Sequence, residues 1–159
     1  MSLIYHSPLS PDQQRAAGIP TPQPMAMADR VRFGELDMLK HVNNVVYMTW
    51  FEALRVRYSQ AWGISTYDGG TNPRIVVRSS AVRYHREVRM NEDYIVTCRC
   101  TGFRNTSYSL AQQVWVGSQL RATFDCVLVL LTRDGTGRYP LPDQLKHHFE
   151  TVDQAVADG

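Results

Sequence analysis

The sequence has 159 residues, with 17 Lys and Arg against 15 Asp and Glu, for a formal net charge of +2. This length predicts one domain, large enough to bury a core without disulfide or metal staples. The basic residues are spread along the chain rather than gathered in a block. That distribution argues against nucleic acid as the main partner.

The cysteines and the hydropathy pattern bear on the compartment. Cys98, Cys100 and Cys126 are odd in number, and Cys98-Arg99-Cys100 lacks the spacing of a zinc or redox motif. We interpret them as reduced, buried thiols. No run of about eighteen apolar residues occurs, and the N-terminus has no basic segment followed by an apolar one. We therefore expect a soluble, cytoplasmic protein with no membrane partner.

The first 27 residues form a predicted arm. Five prolines interrupt it, so we expect it to join neither a central sheet nor a long helix. Within it, Ser10 to Gly18 predicts one short helix, with Ser10 as cap, Pro11 at the first position and Gln13 completing a capping box. The domain proper is predicted over residues 28–150, and residues 151–159 form a C-terminal tail.

A strand and a long helix open the domain. Val31 and Phe33 alternate with Arg30 and Arg32, which predicts a strand from Arg30 to Gly34. A polar corner follows, and from Asn43 to Trp62 the apolar residues recur at helical spacing. Gly63 is expected to end this helix.

Four extended segments follow a Gly- and Pro-containing loop over residues 68–73. They are predicted over residues 74–89, 93–103, 106–116 and 120–133, with short turns that make the last strands an antiparallel meander. Along the third segment, Tyr108, Leu110 and Gln112 share one face, and Cys126 to Leu131 is apolar on both faces. Residues 140–150 predict a final short helix. The fold class is therefore α+β: one antiparallel sheet wrapped around one long helix.

The polar corner before the long helix is the candidate site. For an arbitrary Asp next to a helix start, capping is the ordinary role. Asp37, however, precedes the helix by six residues, and Asn43 and Asn44 are nearer caps. Asp37 is therefore available for a role other than capping. A thioester hydrolase needs a carboxylate, as base or nucleophile, and N–H donors for the carbonyl oxygen. A helix N-terminus supplies such donors.

The element order and the string RFGELDMLKHVNNVVYMTWFEALR, residues 32–55, resemble the hotdog-fold acyl-CoA thioesterases of the 4-hydroxybenzoyl-CoA thioesterase type. The resemblance covers roughly residues 28–150. It implies a homodimer, often paired into a tetramer, with active sites at the subunit interface. The sequence Asp37 to Asn44 is also similar to the D-x-N-x-H-V-N-N motif of acyl-ACP thioesterases, with Leu39 in place of their Asn.

The family motif resembles D-x-D-x-x-G-H-V-N-N, and its second Asp, the catalytic carboxylate, falls on Asp37. The resemblance implies that the backbone N–H near Asn44 is the oxyanion donor. His41 matches the family His, and it either orients the carbonyl or the Asp37 loop or packs at the corner. Asn43 either caps the helix or contacts substrate.

Two residues depart from the family motif. Glu35 replaces the first Asp, a position we interpret as structural. Lys40 replaces Gly, so the turn must differ or Lys40 must be strained by about 1 kcal/mol. Glu52, partway along the helix, is the alternative catalytic carboxylate, although an ion pair with Arg55 or Arg57 is its more ordinary role.

Several residues are candidates for substrate contact. Arg83, Arg86 and the intervening His85 lie on an extended segment and suit the phosphates of coenzyme A, as do Arg104 and Ser107 at a turn. A solvated strand face is the ordinary alternative for each. Tail contacts are expected from Tyr47, Met48, Phe51 and Tyr108.

The predicted function is hydrolysis of acyl-CoA, or acyl-ACP, thioesters, with no cofactor beyond the coenzyme A of the substrate. Two alternatives remain: a hotdog dimer that binds these thioesters without hydrolysing them, and an enoyl-CoA hydratase or dehydratase. No metal is expected, because the adjacent His147 and His148 point about 100° apart on a helix.

Overall fold

The computed structural model describes residues 2–65 and 73–158. Helix α1 spans Pro11–Ala16, α2 spans Asn44–Ala61 and α3 spans Asp143–Thr151. The strands are β1 Met25–Arg30, β2 Arg74–Tyr84, β3 Asp93–Phe103, β4 Ser107–Val116, β5 Gln119–Leu131 and β6 Val156–Ala157. Most of the loop predicted over 68–73 lies outside the described residues.

The six strands form one sheet in the order β1-β3-β4-β5-β2, and β6 pairs with β3 off that path. The predicted meander is confirmed, because β3, β4 and β5 are neighbours in chain order. Strand β2 ends at Tyr84, earlier than predicted, and lies at the sheet edge beyond β5. None of the helices in residues 2–65 and 73–158 has the length and apolar character to cross a bilayer.

The first strand is not where the sequence placed it. Strand β1 spans Met25–Arg30 and pairs antiparallel with β3, whereas Phe33–Glu35 forms a single 3-10 turn. The predicted strand from Arg30 to Gly34 is therefore wrong, and part of the predicted arm does enter the sheet. A carboxylate oxygen of Glu35 accepts the backbone N–H of Arg32 at 2.9 Å, which closes the turn and ends the extended run.

Contacts group the chain into two compact units. The first contains residues 1–55, 82–98 and 112–124. In it, Trp50 of α2 stacks on Tyr94 of β3 with ring centroids 3.8 Å apart, and Phe51 stacks on Phe124 of β5 at 4.9 Å. A second apolar cluster joins the N-terminal arm to the sheet, from Leu9, Ile19, Ala26, Ala28, Ile95 and Trp115.

The capping box of α1 forms as predicted: the Ser10 hydroxyl accepts the Gln13 N–H and the Gln13 amide oxygen accepts the Ser10 N–H. The long helix also begins and ends within one residue of its predicted limits. Gly63, just beyond it, has a φ of 70°, the left-handed conformation that favours glycine after a helix.

The second unit contains residues 56–81, 99–111 and 125–159. Phe149 of α3 packs against Phe103 and Tyr108, with ring centroids 5.9 and 5.4 Å away. Near the C-terminus, Asp153 is only 1% exposed. The predicted tail is thus anchored in a core.

The alternation predicted for β4 is confirmed, since Tyr108, Leu110 and Gln112 are all buried. The three cysteines are buried and form no disulfide, as predicted. Burial raises the pKa of the Cys100 thiol. In the described part of the chain, no group of three or more His, Cys, Asp or Glu side chains is placed to hold a metal ion.

Candidate functional site

A cavity of about 320 Å³ lies at the start of α2, in the first unit. It brings together several residues that the sequence singled out with others that it did not. Its wall is formed by Asp37, His41, Val42, Asn44, Tyr47, Tyr84, His85, Arg86 and Glu87.

Asp37 is held by the loop that it begins. Its Oδ1 accepts the backbone N–H of Leu39 at 2.8 Å and that of His41 at 3.4 Å. Its own N–H donates to the carbonyl oxygen of His41 at 2.8 Å. Among residues 2–65 and 73–158, no donor forms a hydrogen bond with the second oxygen, Oδ2. One half of the carboxylate therefore fixes the loop, and the other half is left for a ligand.

Lys40 occupies the turn between Asp37 and His41 with a φ of 63°. The motif has Gly at this position, and only glycine adopts such a φ without steric cost. Of the two outcomes predicted for Lys40, the strained one is therefore found, at a cost of about 1 kcal/mol.

The helix start supplies one N–H donor, that of Asn44, without an acceptor among the described residues. Asn43 caps α2, because its Oδ1 accepts the Val45 N–H at 3.2 Å and its carbonyl oxygen accepts the Val46 N–H at 2.9 Å. Asn44 lines the cavity and begins the helix, so the positive end of the helix dipole lies at the cavity wall.

Glu35 has a structural role, as predicted. Its Oε1 accepts the indole N–H of Trp50 at 3.0 Å, and its carbonyl oxygen accepts the Asn43 N–H at 2.9 Å. These bonds tie the 3-10 turn to the helix entry, which fixes the geometry of the corner.

The His41 ring packs against a partner that the sequence did not indicate. Its Nε2 lies 2.8 Å from Oε2 of Glu87, which also lines the cavity. The other Glu87 oxygen is paired with Arg89. This arrangement leaves the His41 ring with one nitrogen, Nδ1, that has no partner among the described residues.

Tyr47 and Tyr84 form one wall of the cavity, with ring centroids 5.1 Å apart in an edge-to-face arrangement. The Tyr84 hydroxyl donates to the Asn44 carbonyl oxygen at 2.9 Å. Burial raises the pKa of Tyr47 to about 12, so this phenol stays protonated at neutral pH. Of the four predicted tail contacts, Tyr47 alone lines this cavity, while Phe51 is a core residue stacked on Phe124.

The structure divides the predicted coenzyme A contacts into three groups. Arg86 and His85 line the cavity with Asp37. Arg83 lies on β2, exposed and outside that wall. Ser107 and Arg104 belong to the second unit, where they line another cavity, of about 430 Å³.

Glu52 does not make its predicted ion pair. It is exposed on α2 and, within the described residues, pairs with no cation. Arg55 instead donates to the Gln112 amide oxygen at 3.3 Å and lies over the Phe124 ring. The sheet offers Arg55 buried partners that a helix surface does not, and Glu52 remains outside the cavity wall.

Sequence reasoning missed Glu87 and Tyr84. Both residues lie on a segment that the sequence predicts to be a strand through Arg89. In such a strand, a charged residue like Glu87 suggests a solvent-exposed face. The strand ends at Tyr84, and the regular pairing with β5 is interrupted there, because the Arg121 carbonyl oxygen accepts the N–H groups of both His85 and Arg86. No local pattern marks that departure.

Comparison with known proteins places this geometry in context. A family model described as the thioesterase-like superfamily matches residues 31–149. A solved thioesterase-superfamily protein from Jannaschia sp. CCS1 is 40% identical, with a TM-score of 0.91 over 97% of this chain and 98% of that chain.

Two further solved structures are similar. A thioesterase from Thermus thermophilus in complex with coenzyme A and Zn is 29% identical, with a TM-score of 0.71 over 83% of this chain and 96% of that one. A Staphylococcus aureus protein in complex with CoA is 13% identical, with a TM-score of 0.74 over 80% of this chain and 84% of that one, and this likeness concerns the fold alone.

Proposed function

Because the chain belongs to the thioesterase-like superfamily, with its hotdog fold of an antiparallel sheet and a long helix, we propose that it hydrolyses acyl-CoA thioesters with Asp37 as the reacting carboxylate. The observation that carries this proposal is that the two oxygens of the Asp37 carboxylate differ in their hydrogen bonding. Oδ1 is fixed by backbone N–H groups, and Oδ2 has no partner among the described residues.

The helix start completes the reaction chemistry. A tetrahedral intermediate places negative charge on the former carbonyl oxygen, and a fixed N–H donor with a favourable helix dipole stabilises that charge. The Asn44 N–H meets this need. It has no acceptor among the described residues, whereas Asn43 accepts the N–H groups of the next two residues, Val45 and Val46. Asp37 either removes a proton from the attacking water or attacks the acyl carbon itself.

Coenzyme A as the carrier is supported by charge and by similarity. Arg86 and His85 offer cationic or donor groups at the cavity wall, where phosphate-bearing chains would pass. Among the similar solved structures, the Thermus thermophilus thioesterase is in complex with coenzyme A.

Lys40 and Leu39 depart from the motifs of the thioesterase families, and these departures would favour binding of a thioester without hydrolysis. Lys40 nevertheless holds the positive φ that the motif glycine would adopt. The turn that orients Asp37 is therefore present although the residue type differs, which supports hydrolysis over passive binding.

We further propose that two copies pair through β2. This strand lies at the sheet edge, and its neighbouring residues Val76 and Val77 are 40% and 49% exposed. Because successive strand residues face opposite sides, both faces of this edge are open. An exposed apolar edge strand is an aggregation hazard unless another strand covers it.

The hydrolysis proposal is tested by steady-state rates on a panel of acyl-CoAs and on acyl-ACP, using wild type, Asp37→Ala and Glu52→Ala. We expect the Asp37 variant to lose at least about 10³-fold in kcat and the exposed Glu52 variant to match wild type. Equal rates in wild type and Asp37→Ala would overturn the assignment. Tight binding of an acyl-CoA with no hydrolysis over hours would select the binding protein instead.

Pairing through β2 is tested by the mass in solution. Wild type is expected at twice the 18.1 kDa of one chain, or at four times it if two dimers pair. Val77→Lys should yield monomers. Val152→Lys, at a valine 46% exposed outside β2, is the matched control and should not change the mass. A monomeric wild type would refute the dimer.

A further inference from the structure

Glu87 is the one cavity residue with a charged side chain to which the proposed function gives no role. It lies outside the motif, on the segment between β2 and β3. Its side chain is nevertheless on the same wall as Asp37 and His41, and its Oε2 lies 2.8 Å from the Nε2 of His41.

Glu87 is fixed independently of His41. The Arg89 guanidinium binds its Oε1, with the Arg89 Nε at 2.9 Å, and Arg121 donates to its carbonyl oxygen. Arg121 in turn is held by Glu92, at 3.2 and 3.3 Å. Hydrogen bonding to Arg89 lowers the pKa of Glu87, so the carboxylate is ionised at neutral pH.

An ionised carboxylate only accepts hydrogen bonds, so the Nε2 of His41 must carry the proton. In a neutral imidazole, one nitrogen donates and the other accepts. The Glu87 contact therefore leaves Nδ1 as the acceptor of the ring. That nitrogen belongs to a side chain on the cavity wall.

We propose that Glu87 is a positioning residue, which holds His41 with Nε2–H toward its carboxylate so that Nδ1 accepts a hydrogen bond from the water that attacks the thioester. The inference rests on the proposed function, because it assigns a task at the same site. His41 then orients the water, while Asp37 does the chemistry. This task differs from those that the sequence left open for His41, which were to orient the carbonyl or the Asp37 loop or to pack at the corner.

A purely structural role for the Glu87 side chain is disfavoured by the backbone contacts nearby. The Val42 N–H donates to the Val88 carbonyl oxygen at 2.8 Å, and His41 and Arg89 form a backbone bridge. These contacts join the Asp37 loop to residues 88–89 without the Glu87 side chain. Removing that side chain should therefore leave the loop in place and release the imidazole and the exposed Arg89 guanidinium.

The first test is a double-mutant cycle on kcat with Glu87→Ala, His41→Ala and the pair. Loss of the partner that fixes a functional histidine typically costs roughly 10- to 100-fold, and we expect that loss in kcat with KM within about threefold. The double variant should match His41→Ala within about twofold, because Glu87 acts only through that ring. Losses that multiply instead would refute the inference. Glu150→Ala, at an exposed glutamate of α3, is the matched control for removing a glutamate.

The second test needs no substrate. Long-range ¹H–¹⁵N NMR spectra of the His41 ring report its tautomer directly. Wild type should show Nε2–H at pH 7.5, and Glu87→Ala should show a mixture of tautomers with an unchanged unfolding midpoint. A wild-type ring with the proton on Nδ1 would overturn the inference even if acyl-CoA hydrolysis is established. A wild-type Nε2–H ring in a protein that hydrolyses no thioester would instead count against the proposed function alone.

Discussion

Two aspartates in this protein accept hydrogen bonds in different ways: Asp37 accepts only backbone N–H groups, whereas Asp153 accepts a hydroxyl, an indole N–H and a backbone N–H. Asp153 is 1% exposed, and both of its oxygens are occupied: Oδ2 accepts the Tyr58 hydroxyl at 2.6 Å and the Cys100 N–H at 2.7 Å, and Oδ1 accepts the Trp62 indole N–H at 2.9 Å. Asp37 is partly exposed on a cavity wall, with donors on Oδ1 alone among the described residues.

The difference separates a structural carboxylate from the one that we propose to react. A carboxylate with both oxygens engaged by protein donors joins elements and has no oxygen left for a ligand. A carboxylate fixed on one side only is oriented and still able to react. The number of occupied oxygens thus distinguishes the two, and four measurements can break or sharpen the distinction.

The largest effect is expected from Asp37→Asn. The amide oxygen can still accept the Leu39 N–H, but the amide is neither a base nor a nucleophile. We expect kcat to fall by at least about 10³-fold and the free energy of unfolding to change by less than about 1 kcal/mol. Acyl-CoA hydrolysis and urea denaturation of the same preparation measure both. A variant that keeps a tenth of the rate would place the reactive group elsewhere.

Asp153→Ala should show the reverse pattern. It removes Asp153 as acceptor for the buried Cys100 N–H, the buried Tyr58 hydroxyl and the half-buried Trp62 indole N–H, at about 1 to 3 kcal/mol for each group left unsatisfied. We expect a loss of about 3 to 5 kcal/mol in the free energy of unfolding, with the kcat of the folded enzyme within about threefold of wild type. Asp125→Ala, at an exposed aspartate of β5, is the control and should change stability by less than about 0.5 kcal/mol. If Asp153→Ala and Asp125→Ala changed the free energy of unfolding equally, Asp153 would have no special structural role.

The pH dependence of stability should carry the signature of Asp153. Burial raises the pKa of this carboxyl above its ordinary value of 3.8. The native state then holds the proton longer than the unfolded state, so stability from this group is present below pH 3.8 and is lost as pH rises through the native pKa.

Hydrogen bonds from Arg89 and Arg30 lower the pKa values of Glu87 and Asp93, respectively. These two carboxyls therefore add stability as pH rises, in the opposite direction to Asp153. The measurement is therefore the difference in free energy of unfolding between wild type and Asp153→Asn from pH 3.5 to 7. That difference should move against wild type as pH rises, by no more than about 1.4 kcal/mol per pH unit. A difference that favours wild type increasingly with pH would show that the pKa is lowered.

The smallest effect is expected from Lys40→Gly. Glycine adopts the φ of 63° without the steric cost, although it gains entropy in the unfolded chain. We expect a net gain of about 0.5 kcal/mol in the free energy of unfolding, with hydrolysis within about threefold of wild type. Lys40→Ala keeps the Cβ and should show no gain. If both variants lose stability equally, the lysine side chain is itself stabilising.

Local sequence determined much of this fold. Apolar residues at helical spacing and the stop at Gly63 give α2 its length, and alternation with short turns gives the meander of β3, β4 and β5. The capping box at Ser10 and Gln13 depends only on residues three apart. Each of these signals depends on residues close together in the chain, so it can be recognised from the sequence alone.

Long-range pairing explains the errors. Strand β1 contains Ala26 and Ala28, which have little strand propensity and which lie in the apolar cluster with the arm. Alternation at Val31 and Phe33 was the stronger local pattern, yet the bond from Arg32 to Glu35 closes a turn in that segment. Arg55 likewise contacts Gln112 and Phe124 rather than the neighbouring Glu52.

The candidate site divides in the same way. The sequence by itself singled out Asp37 and offered capping by Asn43 and strain at Lys40 as alternatives, because these features depend on residues within one turn of each other. Only the tertiary structure brought Glu87 to His41, assigned Ser107 to a different cavity and occupied both oxygens of Asp153. Those contacts join residues distant in the chain, and whether an acid is satisfied or left to react depends on where the folded chain places its partners.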